Sequence, residues 1–120
     1  MVRRRQEALR YEFGTPLDTT FFISKVNGKS YKSKTAKGVV LNISPGGLRL
    51  QTALSLPEDS CELTFDVTIQ EQTIQPEGVI MWKEKAGEVF TYGIDFTTED
   101  HKDTIMKELK EYAKTHTKKR

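Results

Sequence analysis

The sequence has little cysteine and histidine and no long apolar run. Its 120 residues include one cysteine, Cys61, and two histidines, His101 and His116. One cysteine excludes an internal disulfide, and neither histidine has a Cys or carboxylate at metal-ligand spacing, so we expect no zinc site. No stretch reaches the roughly 18 apolar residues of a membrane span, and residues 1–10 lack the apolar segment of a signal peptide. We therefore expect a cytoplasmic protein in a reducing compartment.

The sequence also lacks a recognisable catalytic constellation. Cys61 alternates with apolar residues, which is typical of a small buried hydrophobe rather than of a nucleophile. Ser44 has no base nearby in the sequence, and no Gly-Lys-Ser/Thr follows "NISPGG" to complete a phosphate-binding P-loop. No pair of acidic residues has a context that suggests acid–base work. These absences predict a protein that is not an enzyme and holds no metal or cofactor.

Charge is distributed unevenly along a chain whose composition otherwise fits one soluble domain. Residues 1–53 hold ten Lys/Arg against three Asp/Glu, a net charge of +7. Residues 54–100 carry −9, and residues 101–120 carry +4. The asymmetry suggests that the N-terminal part meets an anion, although solvated faces would produce the same counts.

Alternating apolar and polar residues predict β-strands through the middle of the chain. Asn27-Gly28 is a strong hairpin signal between the first two of them. Several short strands with regular turns favour a small antiparallel barrel, because closure removes exposed strand edges. The predicted strands cover residues 19–26, 29–43, 47–52, 61–69, 73–84 and 89–97.

The period changes after residue 96 and predicts a helix over residues 97–120. Thr97 and Asp100 have the spacing of a capping box. An isolated helix of this length is marginally stable, so its apolar stripe must dock on the barrel or on a partner chain. The stripe comprises Ile105, Met106, Leu109, Tyr112 and Ala113.

The stretch "LNISPGGLRL" (41–50) places several turn-forming residues between two apolar runs. The Asn42 amide is able to bond a base edge, and the Ser44 hydroxyl is able to donate to a phosphate oxygen. Gly46 and Gly47 allow positive φ and a close approach of ligand to backbone. The same residues also favour turns for purely local reasons, so a simple corner stays an alternative.

Arginines precede the first strand in "RRRQEALR", with Arg3, Arg4, Arg5 and Arg10 in eight residues. Guanidinium groups suit phosphates and guanine edges, and they stack on purines. A solubilising tail is the alternative interpretation of this basic arm.

Together these residues resemble the PilZ domain, a bacterial receptor for the second messenger cyclic di-GMP. Its signature is R-x-x-x-R on an N-terminal arm, followed by [D/N]-x-S-x-x-G, which "NISPGG" matches at every position. The "YGIDF" run at 92–96 and the C-terminal helix are also similar to the family. Gln6 occupies the position that would complete R-x-x-x-R with Arg10. We therefore carry over Arg10 as the second arginine, and Arg5 or Arg4 as the first.

The resemblance implies a mainly β fold with a six-stranded antiparallel PilZ-type β-barrel. It divides the chain into a basic arm (1–13), the barrel (14–97) and a C-terminal helix (98–120). It implies that cyclic di-GMP docks at the corner and that the arm orders over it. The signal would pass to a protein partner that controls motility, biofilm formation or exopolysaccharide. The implied ligand-binding residues are Arg4, Arg5, Arg10, Asn42, Ser44 and Gly47.

Two other functions stay open. A degenerate PilZ domain would bind only protein, which the Gln6 departure favours and the intact "NISPGG" opposes. The second of these hypotheses is a small β-barrel that binds single-stranded nucleic acid through basic tails. The acidic stretch 54–100 would repel such a long polyanion. A homodimer is compatible with each of the three.

Overall fold

The computed structural model describes residues 11–57 and 61–116. In this part of the chain, eight strands precede a single helix, which confirms the predicted mainly β class. The elements are β1 (Tyr11–Val26), β2 (Lys29–Ser30), β3 (Ala36–Ser44), β4 (Gly47–Thr52), β5 (Cys61–Ile69), β6 (Gln72–Ile74), β7 (Glu77–Ala86), β8 (Val89–Phe96) and α1 (Lys102–His116).

Six of the described strands close into an antiparallel barrel. The sheet order is β2-β1-β3-β4-β8-β7-β5-β6, and a further pairing of β1 with β5 joins the two sides. The barrel therefore runs through β1, β3, β4, β8, β7 and β5, while the short strands β2 and β6 flank it. This arrangement confirms the predicted six-stranded barrel, whose closure pairs most strand edges.

Two predicted strands each divide in the structure. The strand expected over 29–43 is interrupted at residues 31–35, where Ser33 forms hydrogen bonds with β1. Its Oγ accepts from the Ile23 N–H (2.8 Å), and its N–H donates to the Ile23 carbonyl (3.1 Å). The strand expected over 73–84 breaks at Pro76, which has no N–H to give to a ladder. The Pro76 carbonyl instead accepts from the Phe65 N–H at 2.9 Å.

The core lies inside the barrel, where alternate residues of each strand point inward. β5 shows this most regularly, with every second residue from Cys61 to Ile69 buried. Cys61 is a free, buried thiol, which confirms its interpretation as a small hydrophobe. The largest fully buried side chains are Tyr92, Phe21, Phe65, Ile43, Leu48, Leu50, Leu63, Ile69, Ile105 and Leu109.

Helix α1 docks on the barrel through the predicted stripe. Ile105 and Leu109 are buried in the same core cluster as the strands, and Tyr112 packs at its edge. Burial of each aliphatic side chain contributes on the order of 2 kcal/mol. The stripe therefore serves the barrel of its own chain. No helix among the described residues combines the length and the apolar character needed to cross a membrane.

The predicted capping box at Thr97 is wrong. The Thr97 N–H and hydroxyl both donate to the Glu77 carbonyl, at 2.9 and 3.3 Å, which ties this residue to β7. The Thr98 Oγ1 accepts from the Asp100 N–H at 3.4 Å, and α1 begins only at Lys102.

The division into arm, barrel and helix at residues 13 and 97 stays a prediction.

Candidate ligand-binding site

The corner at residues 44–47 is a tight two-residue turn. Pro45 and Gly46 connect β3 to β4, and Ser44 pairs directly with Gly47. Asn42 therefore lies within a strand rather than in a loop. The described residues with positive φ are Asn27, Gly28, Gln70 and Gly87, so the turn does not use the positive φ that Gly46 and Gly47 allow.

The Ser44 side chain fixes the turn from within. Its buried Oγ accepts from the Gly46 N–H (3.2 Å) and donates to the Gly47 carbonyl (3.5 Å). The Gly46 carbonyl accepts from the Phe96 N–H at 2.9 Å, which binds the turn to the end of β8. The hydroxyl and both glycines thus belong to one hydrogen-bonded unit with a defined shape.

Gly47 is glycine because two strands approach closely there. A Cβ at this position would overlap the carbonyl oxygen of Ile94 on β8. The sequence interpretation attributed this glycine to space for a ligand. The structure supplies a different reason within the barrel itself.

A β-bulge in β3 turns Asn42 to the outer face. Val40 pairs with Leu50 and Asn42 with Arg49, which leaves Leu41 as the extra residue. Val40 and Leu50 point into the core, so uninterrupted alternation would have aimed Asn42 inward as well. Instead, Asn42 shares the outer face with Arg49 and is fully buried there.

A second bulge, in β7, turns Trp82 to the same face. Ile80 pairs with Ile94 and Trp82 with Gly93, which leaves Met81 unpaired between them. Both bulge residues point outward, where Met81 is 61% exposed and Trp82 is 40% exposed. Bulges often occur beside functional sites because they re-aim side chains.

The Trp82 indole lies against Gly93 on β8. A Cβ on Gly93 would overlap the indole Nε1, so a larger residue there would displace the ring. The Arg49 Cζ lies 5.5 Å from the centroid of the Trp82 ring, which is cation–π distance. Asn42, Arg49, Gly93 and Trp82 therefore form one row across four strands, which we call the outer row.

Two grooves border the outer row, and one of them leads toward the turn. One groove contains Arg49, Trp82 and Asp95, and Asp95 pairs with Gly47. A second groove runs past Leu41, with Lys83 and Glu84 on its other side. The site thus offers a guanidinium for phosphate or guanine, an indole for stacking, and acceptors for base N–H groups.

Arg49 and Trp82 are the candidate residues that sequence reasoning missed. Alternation placed Arg49 on the outer face but gave no reason to assign it a role. The bulge at Met81 hid the direction of Trp82. Gly93 is the signal in the sequence that could have indicated the direction of Trp82. It directly follows the buried Tyr92 and therefore faces outward, where a glycine makes room for a large neighbouring side chain.

The structure brings three predicted residues together and does not reach the others. Asn42, Ser44 and Gly47 lie on the β3–β4 hairpin, beside the outer row. Arg4, Arg5 and Arg10 lie outside the described residues. Among the residues that are described, no group of three His, Cys, Asp or Glu side chains is arranged to hold a metal ion.

Comparison with known proteins places this architecture in context. A family model described as PilZ domain matches residues 3–114. A search of curated proteins finds no match. Solved structures at low identity share the fold. This chain spans just over half the length of each of the three structures described next.

Three of these structures illustrate the similarity. The inhibitor of motility MotI/DgrA from Bacillus subtilis aligns with TM-score 0.66 at 16% identity, over 97% of this chain and 55% of its own. MrkH from K. pneumonia, in its apo state, aligns with TM-score 0.60 at 16% identity, over 98% and 56%. The PlzA protein of Borreliella burgdorferi, solved in complex with c-di-GMP, aligns with TM-score 0.50 at 12% identity, over 97% and 56%.

Proposed function

The chain belongs to the PilZ domain family, and from that membership we propose that it is a receptor for cyclic di-GMP that signals to a protein partner. PilZ domains are receptor and adaptor domains. The observation that carries the proposal for this chain is the outer row beside the Ser44–Gly47 turn. It brings an arginine and an exposed indole together on one surface, beside the buried Asn42 and Ser44.

Each part of the site has a chemical role in this proposal. The Trp82 indole stacks on a guanine, and its 40% exposure leaves ring surface for that contact. The Arg49 guanidinium, already beside the indole, pairs with a phosphate or a guanine edge. The hydrogen-bonded turn at Ser44 and Gly47 forms a preorganised wall, which lowers the ordering cost of binding.

The arm arginines complete the site. Arg10, with Arg5 or Arg4, folds over the ligand and pairs with its phosphates. Tyr11 in β1 pairs with Ile43, between the two motif residues of β3, and this closeness of the start of β1 to the turn supports the assignment of Arg10 to the site. Ordering of the arm on ligand binding then changes the surface shown to a protein partner. Control of motility, biofilm formation or exopolysaccharide is the output that the family suggests.

Calorimetric titration with cyclic di-GMP tests the proposal. We expect micromolar or tighter binding by the wild-type protein. Arg10→Ala removes a charge-assisted contact and should weaken binding by about tenfold or more. Ser44→Ala should also weaken it, because the turn loses its internal hydroxyl. Lys107→Ala, on the exposed face of α1, is the matched control and should bind as wild type.

The outcomes separate the competing functions. Absence of heat and of a thermal shift in a folded protein would overturn the receptor proposal in favour of a degenerate domain that binds only protein. If the protein instead binds an oligonucleotide tightly, with a steep salt dependence, and does not bind the cyclic dinucleotide, the result would favour the nucleic-acid hypothesis. Circular dichroism of each variant establishes that the fold is intact.

A further inference from the structure

Lysines cluster at the end of β1 that lies farthest from the turn at Ser44. Near the start of β1, Tyr11 pairs with Ile43 beside that turn, whereas at its end Val26 pairs with Lys29 across the hairpin. The residues from the end of β1 to position 34 carry four lysines and the exposed Tyr31. We call this set the lysine hairpin; it comprises Lys25, Lys29, Tyr31, Lys32 and Lys34.

No acidic residue balances these lysines in the sequence around them. Asp18 and Glu58 are the acidic residues before and after the hairpin, and the 39 positions between them hold none. On the adjacent strand β5, a carboxylate oxygen of Glu62 lies 3.9 Å from the Lys25 Nζ. The other lysines of the hairpin are exposed, so most of its charge faces solvent.

The hairpin backbone is held in place although its side chains are exposed. Val26 pairs with Lys29, and the Tyr31 N–H donates to the Ser24 carbonyl at 3.0 Å. The Lys32 Nζ lies 5.4 Å from the centroid of the half-buried Phe22 ring. Tyr31 is 54% exposed. The result is an ordered edge ribbon with several ammonium groups and one exposed aromatic ring.

Helix α1 also carries four lysines, but in a different setting. Lys102, Lys107, Lys110 and Lys114 alternate with three acidic residues, Asp103, Glu108 and Glu111. The Lys114 Nζ lies 3.7 Å from a Glu111 carboxylate oxygen. The helix therefore has a mixed surface, whereas the hairpin presents one sign of charge over about ten residues.

We propose that the lysine hairpin docks this protein on the surface of an anionic lipid bilayer. Lysine is a compact point charge that suits a field of phosphate headgroups, while arginine would be expected for bidentate recognition of bases. Lysine clusters next to membranes interact with anionic lipids, and tyrosine is favoured at the interface because its ring is apolar and its hydroxyl is polar.

Other uses of the hairpin fit the structure less well. Sites for single-stranded nucleic acid combine a groove with several stacking rings, but here Tyr31 is exposed on an edge ribbon and Phe22 lies beneath Lys32. Lysines on edge strands also discourage pairing between protein copies. That role does not require an exposed tyrosine beside them. Neither alternative requires binding to vesicles.

Vesicle co-sedimentation of the full chain tests the proposal, with mixed phosphatidylglycerol–phosphatidylcholine vesicles compared with pure phosphatidylcholine. We expect binding to the anionic vesicles, weakened by salt because the charges are exposed. The triple variant Lys29→Gln, Lys32→Gln, Lys34→Gln should lose at least about tenfold in partitioning, since each lysine near an anionic surface contributes roughly fivefold. The control Lys102→Gln, Lys107→Gln, Lys110→Gln removes equal charge from α1 and should stay within about threefold of wild type.

Several results would overturn the proposal. Equal losses in the two triple variants would show that only net charge matters. Undiminished binding of the hairpin variant would place the lipid contact elsewhere in the chain. A hairpin variant that loses binding to single-stranded oligonucleotide, in a protein that does not sediment with anionic vesicles, would favour nucleic acid. Because the experiment contains no cyclic di-GMP, its outcome does not depend on the receptor function.

Discussion

The Pro45–Gly46 turn and the Asn27–Gly28 turn each join two antiparallel strands through two residues, yet different forces hold them. At the first, the backbone is tied to β8, and a Cβ on the adjacent Gly47 would overlap the Ile94 carbonyl. At the second, a Cβ on Gly28 would meet no atom within 4 Å, and glycine is favoured there only by its φ of +79°.

This difference separates two kinds of surface. Around the Pro45–Gly46 turn, packing and hydrogen bonds fix the positions of the polar groups, which is what recognition of one small ligand requires. Around the Asn27–Gly28 turn, lysine side chains project into solvent, and their interaction with a partner depends on summed charge. Substitutions near the two turns should therefore differ in the size of their effect and in whether they change stability, ligand affinity or the interaction with a charged partner.

The largest effect is expected for Gly47→Ala. The added methyl group forces β4 away from β8, and strain of this kind in packed structure costs about 3 kcal/mol of unfolding free energy. Gly28→Ala is the matched control at the open turn. It should cost about 1 kcal/mol, because alanine is strained at positive φ but meets no atom.

Urea unfolding of both variants gives the comparison directly. If Gly28→Ala destabilised the protein as much as Gly47→Ala, close packing would not be what distinguishes the two turns. Ligand binding should be measured at a temperature where each variant is folded, so that loss of the site is not confused with loss of the fold.

Features that depend on neighbouring residues in the sequence were predicted well. The alternation in β5 gave its bounds and its buried face, because the bulge in its ladder with β1 falls on β1 and leaves the alternation of β5 unbroken. Asn27-Gly28 gave the first hairpin, because its positive φ values are a local property. The stripe on α1 gave the docking residues Ile105 and Leu109.

Features that depend on contacts between strands were missed or misinterpreted. The bulges at Leu41 and Met81 are set by pairing with β4 and β8, and each reverses the face of the residue that follows. Asn42 was therefore recognised by its motif and placed in the predicted strand 29–43, but without the outward direction that the bulge gives it, and Trp82 was left without a direction. The contact of Gly47 with Ile94 involves residues 47 positions apart, which no local pattern contains.

The next largest effect is expected for Trp82→Ala, and it should appear in ligand affinity. Loss of one base–aromatic stacking contact costs about 2 kcal/mol, or roughly 30-fold in the dissociation constant for cyclic di-GMP. The change in unfolding free energy should be smaller than at Gly47, since the ring is 40% exposed. Tyr31→Ala, which removes the exposed ring of the lysine hairpin, is the matched control and should leave the affinity unchanged. Unchanged affinity in Trp82→Ala would remove the outer row from the ligand site.

The smallest effect is expected for Lys25→Gln at the hairpin. Its contact with Glu62 is 3.9 Å long, and the lysine side chain is 44% exposed. Exposed ion pairs of this type contribute about 0.5 kcal/mol or less, because solvent screens the attraction and the side chains lose entropy. Urea unfolding at low and high salt should therefore show almost no difference between the variant and wild type. A loss above about 1 kcal/mol that disappears in high salt would mean that the hairpin charges also stabilise the fold, and the contrast with the Pro45–Gly46 turn would no longer hold.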